Sequence, residues 1–222
     1  GGEADRKYTW ENLVVPLEEM EDRLERIWSP VSHMNAVVNS EALRGAYNAC
    51  LPKLSEYETD LGQDARLYAA FQAIADGPEY ARLDPVQRKV IDNALRDFHL
   101  SGVDLAPEQK AEFKANQQRL SQLTSRFDDN LLDASNAWKK HIGRESALAG
   151  LPESSRALAR QAAEREGKTG WLLTLEFPSY FAVMTYAEDR KLRREMYEAY
   201  TTRASERGPH AGRWDNTAVT KD

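Results

Sequence analysis

Four histidines are the side chains in this 222-residue chain best suited to ligate a metal or to transfer a proton. They are His33, His99, His141 and His210. A zinc site on a helix usually has the pattern His-Glu-x-x-His, because a spacing of four residues places both imidazoles on one face. No histidine here precedes a Glu, and no two lie within five residues. His141 and Glu145 have the four-residue spacing, but Gly143 between them indicates a turn, so we predict no metal-binding residue.

Other catalytic patterns are equally incomplete. Gly167-Lys168-Thr169 resembles the end of a phosphate-binding loop, but the glycine required five positions before Gly167 is replaced by Ala162. The segment also follows a predicted helix and opens a strand, so Gly167 is better explained as a helix C-cap. No G-x-S-x-G elbow occurs, and the single cysteine, Cys50, excludes an intrachain disulfide and a cysteine-based zinc site. We therefore predict no catalytic and no cofactor-binding residue in the chain.

Three clusters of charged or aromatic residues have structural explanations. An acidic run is predicted to be a solvated helix face, and it comprises Glu18, Glu19, Glu21 and Asp22. A basic cluster is predicted to be helix surface, and it comprises Lys191, Arg193 and Arg194. An aromatic set is predicted to be core, as large aromatic side chains usually are. Its members are Trp171, Phe177, Tyr180, Phe181 and Tyr186.

Composition narrows the class of protein. Hydrophobic residues make up 41% and charged residues 30%, which is typical of a globular chain. The net charge of −6 argues against a nucleic-acid partner. No run of about 18 apolar residues predicts a membrane span, and residues 1–7 lack the apolar region of a signal peptide. We expect a cytoplasmic protein, and we expect Gly1-Gly2, which no initiator Met precedes, to come from cloning.

Helical periodicity dominates residues 1–137. The first apolar stripe is predicted to end at Ser29-Pro30, and it comprises Leu13, Leu17, Met20, Leu24 and Ile27. Ser40 is a predicted N-cap for a second helix that Pro52 kinks or breaks. Asp84 and Pro85 predict another helix start. Pro107 opens the longest helix, where apolar residues recur every seven positions, and such helices pack antiparallel in bundles.

Residues 138–178 have a different character. Segments 138–142 and 171–175 are predicted strands, and Pro178 is predicted to limit the second. A helix between them over 152–166 is predicted to end at Gly167. Leu192, Met196 and Tyr200 mark a last helix before an irregular tail. We therefore predict a mainly α fold, an antiparallel helical bundle with long amphipathic helices plus a small β element. The predicted scheme is one domain with a bundle over 1–137, a strand-helix-strand insert over 138–178, and a helix and tail over 179–222.

Several segments resemble the N-terminal region of the thimet-oligopeptidase family of zinc metallopeptidases, in one register along nearly the whole chain. They are YTWENL at 8–13, SPVSHMN at 29–35, NALRDF at 93–98, LPES at 151–154, GWLLTL at 170–175 and the run 196–216. The resemblance implies a helical protein whose two halves enclose a deep channel for short peptides. It also implies a zinc held by His-Glu-x-x-His and a further Glu, and no position of this chain matches those residues.

The resemblance therefore implies a non-catalytic portion of a longer peptidase. Its expected partner is the C-terminal catalytic portion of the same polypeptide, with short peptide substrates and zinc in the full-length protein and no cofactor in this segment. By itself this segment is expected to be inactive. The alternative is a stand-alone helical protein-binding module without catalysis.

Overall fold

The structure is a computed structural model that describes residues 7–221. Eight α-helices occur in that part of the chain: α1 Val15–Val37, α2 Glu41–Gly62, α3 Ala65–Ala75, α4 Pro85–Leu100, α5 Pro107–Ala137, α6 Glu153–Arg165, α7 Phe177–Tyr186 and α8 Arg190–Thr201. The two strands are β1 Lys139–Ile142 and β2 Trp171–Thr174. The predicted fold class, mainly α with a small β element near 138–142 and 171–175, is confirmed.

The chain divides into two compact units, residues 1–122 and residues 123–222, and the boundary falls within α5. Residues 1–6 and 222 belong to the segments predicted at the two ends but lie outside the described residues. Gly1-Gly2, which we expect to come from cloning, also lie outside the described residues. The predicted scheme of one domain with segments 1–137, 138–178 and 179–222 stays a prediction.

The N-terminal helix is longer than the sequence predicted. A single π-helical turn, Trp10–Val14, is capped by Thr9, whose hydroxyl accepts a hydrogen bond from the Asn12 amide over 3.1 Å. α1 then continues past Pro30, so the predicted end at Ser29-Pro30 is wrong. Proline removes one backbone donor from a helix, but this part of α1 is exposed, and water can satisfy the carbonyl left without a partner. α2 likewise continues past Pro52, after the predicted N-cap Ser40.

The core of the first unit lies around α3 and α4. Asp64 and Asp84 cap these helices by accepting backbone hydrogen bonds, and Pro85 is the first residue of α4, as predicted. Both helices bury one face. The buried cluster contains Val14, Phe71, Ile74, Leu83, Ile91, Phe98 and Val103.

The second unit contains the predicted strand-helix-strand arrangement. β1 and β2 pair antiparallel, with Lys139 opposite Thr174 and Ile142 opposite Trp171. α6 lies between them in sequence and packs against β2. The unit buries a larger cluster. That cluster contains Trp138, Ile142, Leu148, Leu151, Ala159, Trp171, Leu173, Leu175, Ala182, Val183, Ala187, Leu192, Met196 and Ala199.

Helix α7 was not predicted, because Pro178 was interpreted as the limit of the preceding strand. In the structure Pro178 occupies the first turn of α7, where the missing N–H would have no intrahelical partner in any case. The prediction that the aromatic set is core is wrong for three members. Phe177, Phe181 and Tyr186 are exposed, whereas Trp171 is buried. The last member, Tyr180, is half-buried and stacks on Tyr200 with 3.7 Å between ring centroids.

Candidate functional site

The histidines do not converge on a common site within either unit. His141 Nε2 donates to the Thr169 carbonyl over 2.6 Å, while Glu145 accepts a hydrogen bond from Arg156 over 3.1 Å. The pair with metal-ligand spacing is therefore engaged with other partners. In the first unit His99 lies 3.2 Å from the Tyr68 hydroxyl through Nε2 and contacts the Asp104 carboxylate through Nδ1. This exposed cluster lies beside the C-terminus of α4.

The described part of the chain contains no candidate metal site. Across residues 7–221 no group of three or more His, Cys, Asp or Glu side chains could hold a metal ion. The predicted absence of metal, cofactor-binding and catalytic residues stays a prediction. Gly167 has the positive φ of 68° expected of a helix C-cap, and the Lys168 amide donates to the Ala163 carbonyl over 2.9 Å. The prediction that Gly167 is a helix C-cap, in place of a phosphate-binding glycine, is thereby confirmed.

A cleft of about 390 Å³ lies in the first unit, between α1 and α2 on one side and α3 and α4 on the other. We call it the acidic cleft. Its apolar lining consists of Leu17, Leu61, Leu67, Phe71, Val90, Ala94 and Phe98. Its acidic lining consists of Glu18, Glu21, Glu58 and Asp97. The remaining lining residues are Gly62, Asn93 and Ser101. The volume falls in the range of small-ligand pockets.

The lining of the acidic cleft contains four carboxylates and no Lys, Arg or His. Asp97 is paired with Arg96 over 2.8 Å. Glu18, Glu21 and Glu58 form no salt bridge with any residue in the described part of the chain. Partial burial, and next the charge of Glu18, raise the pKa of Glu21 above its ordinary value. The cleft therefore concentrates negative charge beside apolar surface.

The acidic cleft refines the interpretation of the acidic run. The run is exposed, as predicted for a solvated helix face. Glu18 and Glu21 nevertheless line the cleft, whereas Glu19 and Asp22 do not. Glu18 and Glu21 are three residues apart and share one face of α1, whereas Glu19 and Asp22, also three residues apart, share the neighbouring face. What the sequence did not indicate is that α3 and α4 would supply an apolar floor beneath that face.

A second feature of the first unit is the apolar stripe of α1, which we call the α1 stripe. It comprises Met20, Leu24 and Ile27. Ile27 is 70% exposed and Met20 is 49% exposed. α1 contains no buried residue at all, although the structure describes every residue of it. Next to the stripe, Trp28 stacks on Tyr47 of α2 at 4.8 Å between ring centroids. Contiguous exposed apolar surface on a protein often marks an interface.

The second unit contains a cavity with a mixed apolar and polar lining, and a basic cluster. The cavity has a volume of about 150 Å³ and lies between α6, β2 and α7. In the basic cluster, Arg194 is bound to Glu198 over 2.8 Å and Arg193 donates to the Ala187 carbonyl. Lys191 and Arg194 are exposed, in agreement with the predicted helix surface, whereas Arg193 is half-buried. The described contacts of this cluster are internal ones.

The described residues thus form two mainly helical units, the second with a small antiparallel sheet. A comparison with known families gives a match to the first part of the chain. Residues 3–110 match the family described as "Neurolysin/Thimet oligopeptidase, N-terminal domain". The resemblance of this chain to the N-terminal region of the thimet-oligopeptidase family is thus confirmed.

Individual relatives extend the match beyond residue 110. The chain is 53% identical to Oligopeptidase A of Haemophilus influenzae over 215 residues, which is 97% of this chain and 32% of the relative. It is 51% identical to Oligopeptidase A of Escherichia coli over the same shares of both chains, 97% and 32%. A protein of Arabidopsis thaliana named probable cytosolic oligopeptidase A is 36% identical over 95% of this chain and 30% of its own length.

The chain thus spans about a third of the length of the curated relatives that it matches, 32% for the two bacterial proteins. The similarity covers both compact units, because it extends over 97% of the chain. Every helix within residues 7–221 is either too short or too polar to cross a lipid bilayer.

Proposed function

We propose that this chain is the N-terminal, non-catalytic portion of a zinc metallo-oligopeptidase that hydrolyses short peptides inside an enclosed channel. The observation that supports the proposal most strongly is the 53% identity to Oligopeptidase A over 97% of this chain but 32% of that relative. In this proposal the chain shapes and closes the peptide-binding enclosure. The hydrolytic step belongs to the part of the parent protein that lies outside the matched region.

Zinc is assigned to no residue of this chain. A catalytic zinc needs three protein ligands and an open position, and residues 7–221 offer no group of side chains that fits this requirement. We therefore derive no chemical step from these residues and propose that the zinc is held by the C-terminal portion. The proposed compartment is the cytoplasm, with neither nucleic acid nor membrane as partner. The net charge of −6 supports the exclusion of nucleic acid.

The proposed main partner is the C-terminal catalytic portion of the same polypeptide. The α1 stripe supports this, since an apolar helix face is stabilised when a second surface removes it from water. Ile27, at 70% exposure, has no such cover within the described residues. Association with the C-terminal portion, which corresponds to the unmatched two thirds or so of the relatives' length, would bury such surface and order the walls of the enclosure.

A graft tests the proposal. The 215 matched residues of the Escherichia coli relative are replaced by residues of this chain, and turnover of a fluorogenic short peptide is measured. We expect the graft to hydrolyse the peptide in a chelator-sensitive manner and faster than the Escherichia coli protein without its matched region. As a control, this chain alone should show no turnover. A folded, zinc-loaded graft with no more activity than the truncated relative would refute the proposal.

The second candidate function is a stand-alone helical protein-binding module. The acidic cleft favours this second function, because a pocket with an apolar floor and unpaired carboxylates can bind a ligand without a catalytic domain. The graft separates the two candidates: a binding module would fold in the graft but would not restore turnover.

A further inference from the structure

We propose that the acidic cleft binds a peptide segment in which a large apolar side chain is flanked by Lys or Arg. This inference concerns binding by the first unit and does not rest on the peptidase proposal. It follows from a juxtaposition in the fold: α3 and α4 supply an apolar floor, while α1 and α2 place unpaired carboxylates at its edge.

The apolar floor sets the first requirement on the ligand. Phe71 and Phe98 are buried members of the unit's core, and Leu17, Leu67 and Val90 are half-buried beside them. The cleft thus gives access to the side of the hydrophobic core. An apolar side chain that enters it removes both its own surface and that of the floor from water, which is the main favourable contribution to such binding. A small hydrated cation would leave this floor in water.

The carboxylates set the second requirement. Glu18 and Glu21 come from α1 and Glu58 comes from α2, and none of the three has a basic partner in residues 7–221. The raised pKa of Glu21 reflects the partial loss of water around a group that still lacks a counter-ion. A Lys or Arg next to the bound apolar side chain would supply that counter-ion. Complementary charges of this kind also accelerate the encounter of the two molecules.

Charge decides among the possible occupants. A nucleic acid would bring phosphates towards carboxylates, which is repulsive. A second copy of this chain carries the same net charge of −6, so its approach is disfavoured too. A basic segment with an apolar side chain would cover the apolar floor and pair with the carboxylates at the same time. Glu18 and Glu21 lie three residues apart on the same face of α1, so neighbouring basic residues of one segment can reach both carboxylates.

Isothermal titration calorimetry with the 222-residue chain tests the proposal. The probe is the capped peptide acetyl-Lys-Phe-Arg-Leu-Lys-amide. Two matched peptides separate the requirements: in one every basic residue is replaced by Glu, and in the other both apolar residues are replaced by Ser. We expect saturable binding of the probe, with each matched peptide at least about tenfold weaker, and we expect added salt to weaken binding of the probe through screening.

Variants locate the binding site. The double variant Glu21→Gln with Glu58→Gln should weaken probe binding about tenfold, since each exposed ion pair contributes modestly. The double variant Glu19→Gln with Glu25→Gln is the matched control on α1, because neither residue lines the cleft, and it should bind like the unaltered chain. Thermal unfolding of all variants checks that the fold persists.

The floor is tested separately by filling it. Ala94→Leu, within the lining, should reduce binding of the probe more than tenfold, whereas Ala69→Leu, on the exposed part of α3 outside the lining, should not. No saturable binding of the probe would overturn the proposal. Equal binding of the acidic peptide, or equal effects of cleft and control variants, would overturn it as well. Self-association that the same cleft variants abolish would assign the cleft to a second copy instead.

Discussion

The α1–α2 region and the second unit use similar amphipathic helices in opposite ways. α1 and α2 extend over 23 and 22 residues, yet Thr59 is the single buried residue between them, and the structure describes both helices in full. The second unit has shorter helices, and α8, with 12 residues, buries Leu192, Met196 and Ala199. Helix length and an apolar stripe therefore do not decide whether a helix contributes to a core.

What differs is the presence of a second layer. In the second unit, the short sheet, α6, α7 and α8 cover one another, so that apolar faces meet and exclude water. In the first unit, α1 packs against α2, but the α1 stripe faces no further layer within the unit. The comparison implies that the second unit carries stability of its own, whereas the α1 stripe contributes when a partner covers it.

Matched methionine truncations should give the largest contrast between the two regions. Met196 on α8 is fully buried at 0% exposure, and Met34 on α1 is 48% exposed. We expect Met196→Ala to lower the free energy of unfolding by about 2–5 kcal/mol, because it leaves a cavity and loses buried surface. Met34→Ala should change it by less than about 0.5 kcal/mol.

Urea denaturation followed by circular dichroism measures both variants against the unaltered chain. Equal losses would show that α1 is packed in solution and would break the comparison. If the addition of a partner protein made Met34→Ala costly, that partner would be identified as the cover of α1.

Matched glycine substitutions should give smaller effects of opposite sign. Gly150 has a φ of +87°, and a Cβ there would lie 2.1 Å from the Tyr186 carbonyl oxygen. Gly150→Ala should therefore destabilise the second unit by about 1–3 kcal/mol. Gly45 lies inside α2, where a Cβ would meet nothing within 4 Å. Gly45→Ala should stabilise α2 by about 0.5–1 kcal/mol, because alanine loses less backbone freedom on helix formation.

Thermal unfolding distinguishes the two glycine variants, with a lower midpoint for Gly150→Ala and an equal or higher one for Gly45→Ala. A Gly45→Ala variant that unfolds earlier would indicate that something packs closely on α2 in solution. That result would mean that α2 is packed more closely in solution than its exposure in the structure indicates.

The smallest predicted contrast concerns two carboxylates. Hydrogen bonds from Lys139, and next from Lys168, lower the pKa of Glu166 from 4.5 to about 2. Because the pKa is lower in the folded state, the stabilisation is present above pH 4.5 and is lost as the pH falls towards 2. Glu166→Gln should therefore reduce stability at neutral pH but have little effect near pH 2.

Glu21 should behave in the opposite way. Its pKa is raised by partial burial and by Glu18, so protonation favours the folded state, and that contribution is lost as the pH rises through the raised pKa. Carboxyl carbon shifts followed by NMR from pH 2 to pH 7 should show Glu166 titrating below Glu21. The reverse order would contradict the difference in environment. Binding of the basic peptide to the acidic cleft should lower the pKa of Glu21.

Much of the fold could be predicted from local chemistry. Ser40 and Asp84 cap helices as expected, because their side-chain oxygens satisfy the free amides of the first turn. The strand pair was predicted from its flanking residues and apolar character. Pro30 and Pro178 misled the prediction for related reasons. Proline limits a helix only when the lost hydrogen bond cannot be replaced, and that depends on solvent and on the position in the turn.

The candidate site was harder to foresee. Glu18 and Glu21 were visible as part of an acidic run, and their helical spacing indicated a shared face. The floor below them comes from Phe71 and Phe98, about fifty to eighty positions away in sequence, and no local pattern pairs residues at that separation.

The sequence by itself determined most of the helices, the caps at Ser40 and Asp84, the small sheet and the resemblance to the oligopeptidase family, because these depend on residue types within a few positions or on their order along the chain. Tertiary structure alone decided which apolar stripes are buried. The stripe of α8 and that of α1 have the same helical period, yet Met196 is fully buried and Ile27 is 70% exposed. Burial depends on whether a second surface arrives to exclude water, and that surface is supplied by residues distant in sequence or by another protein.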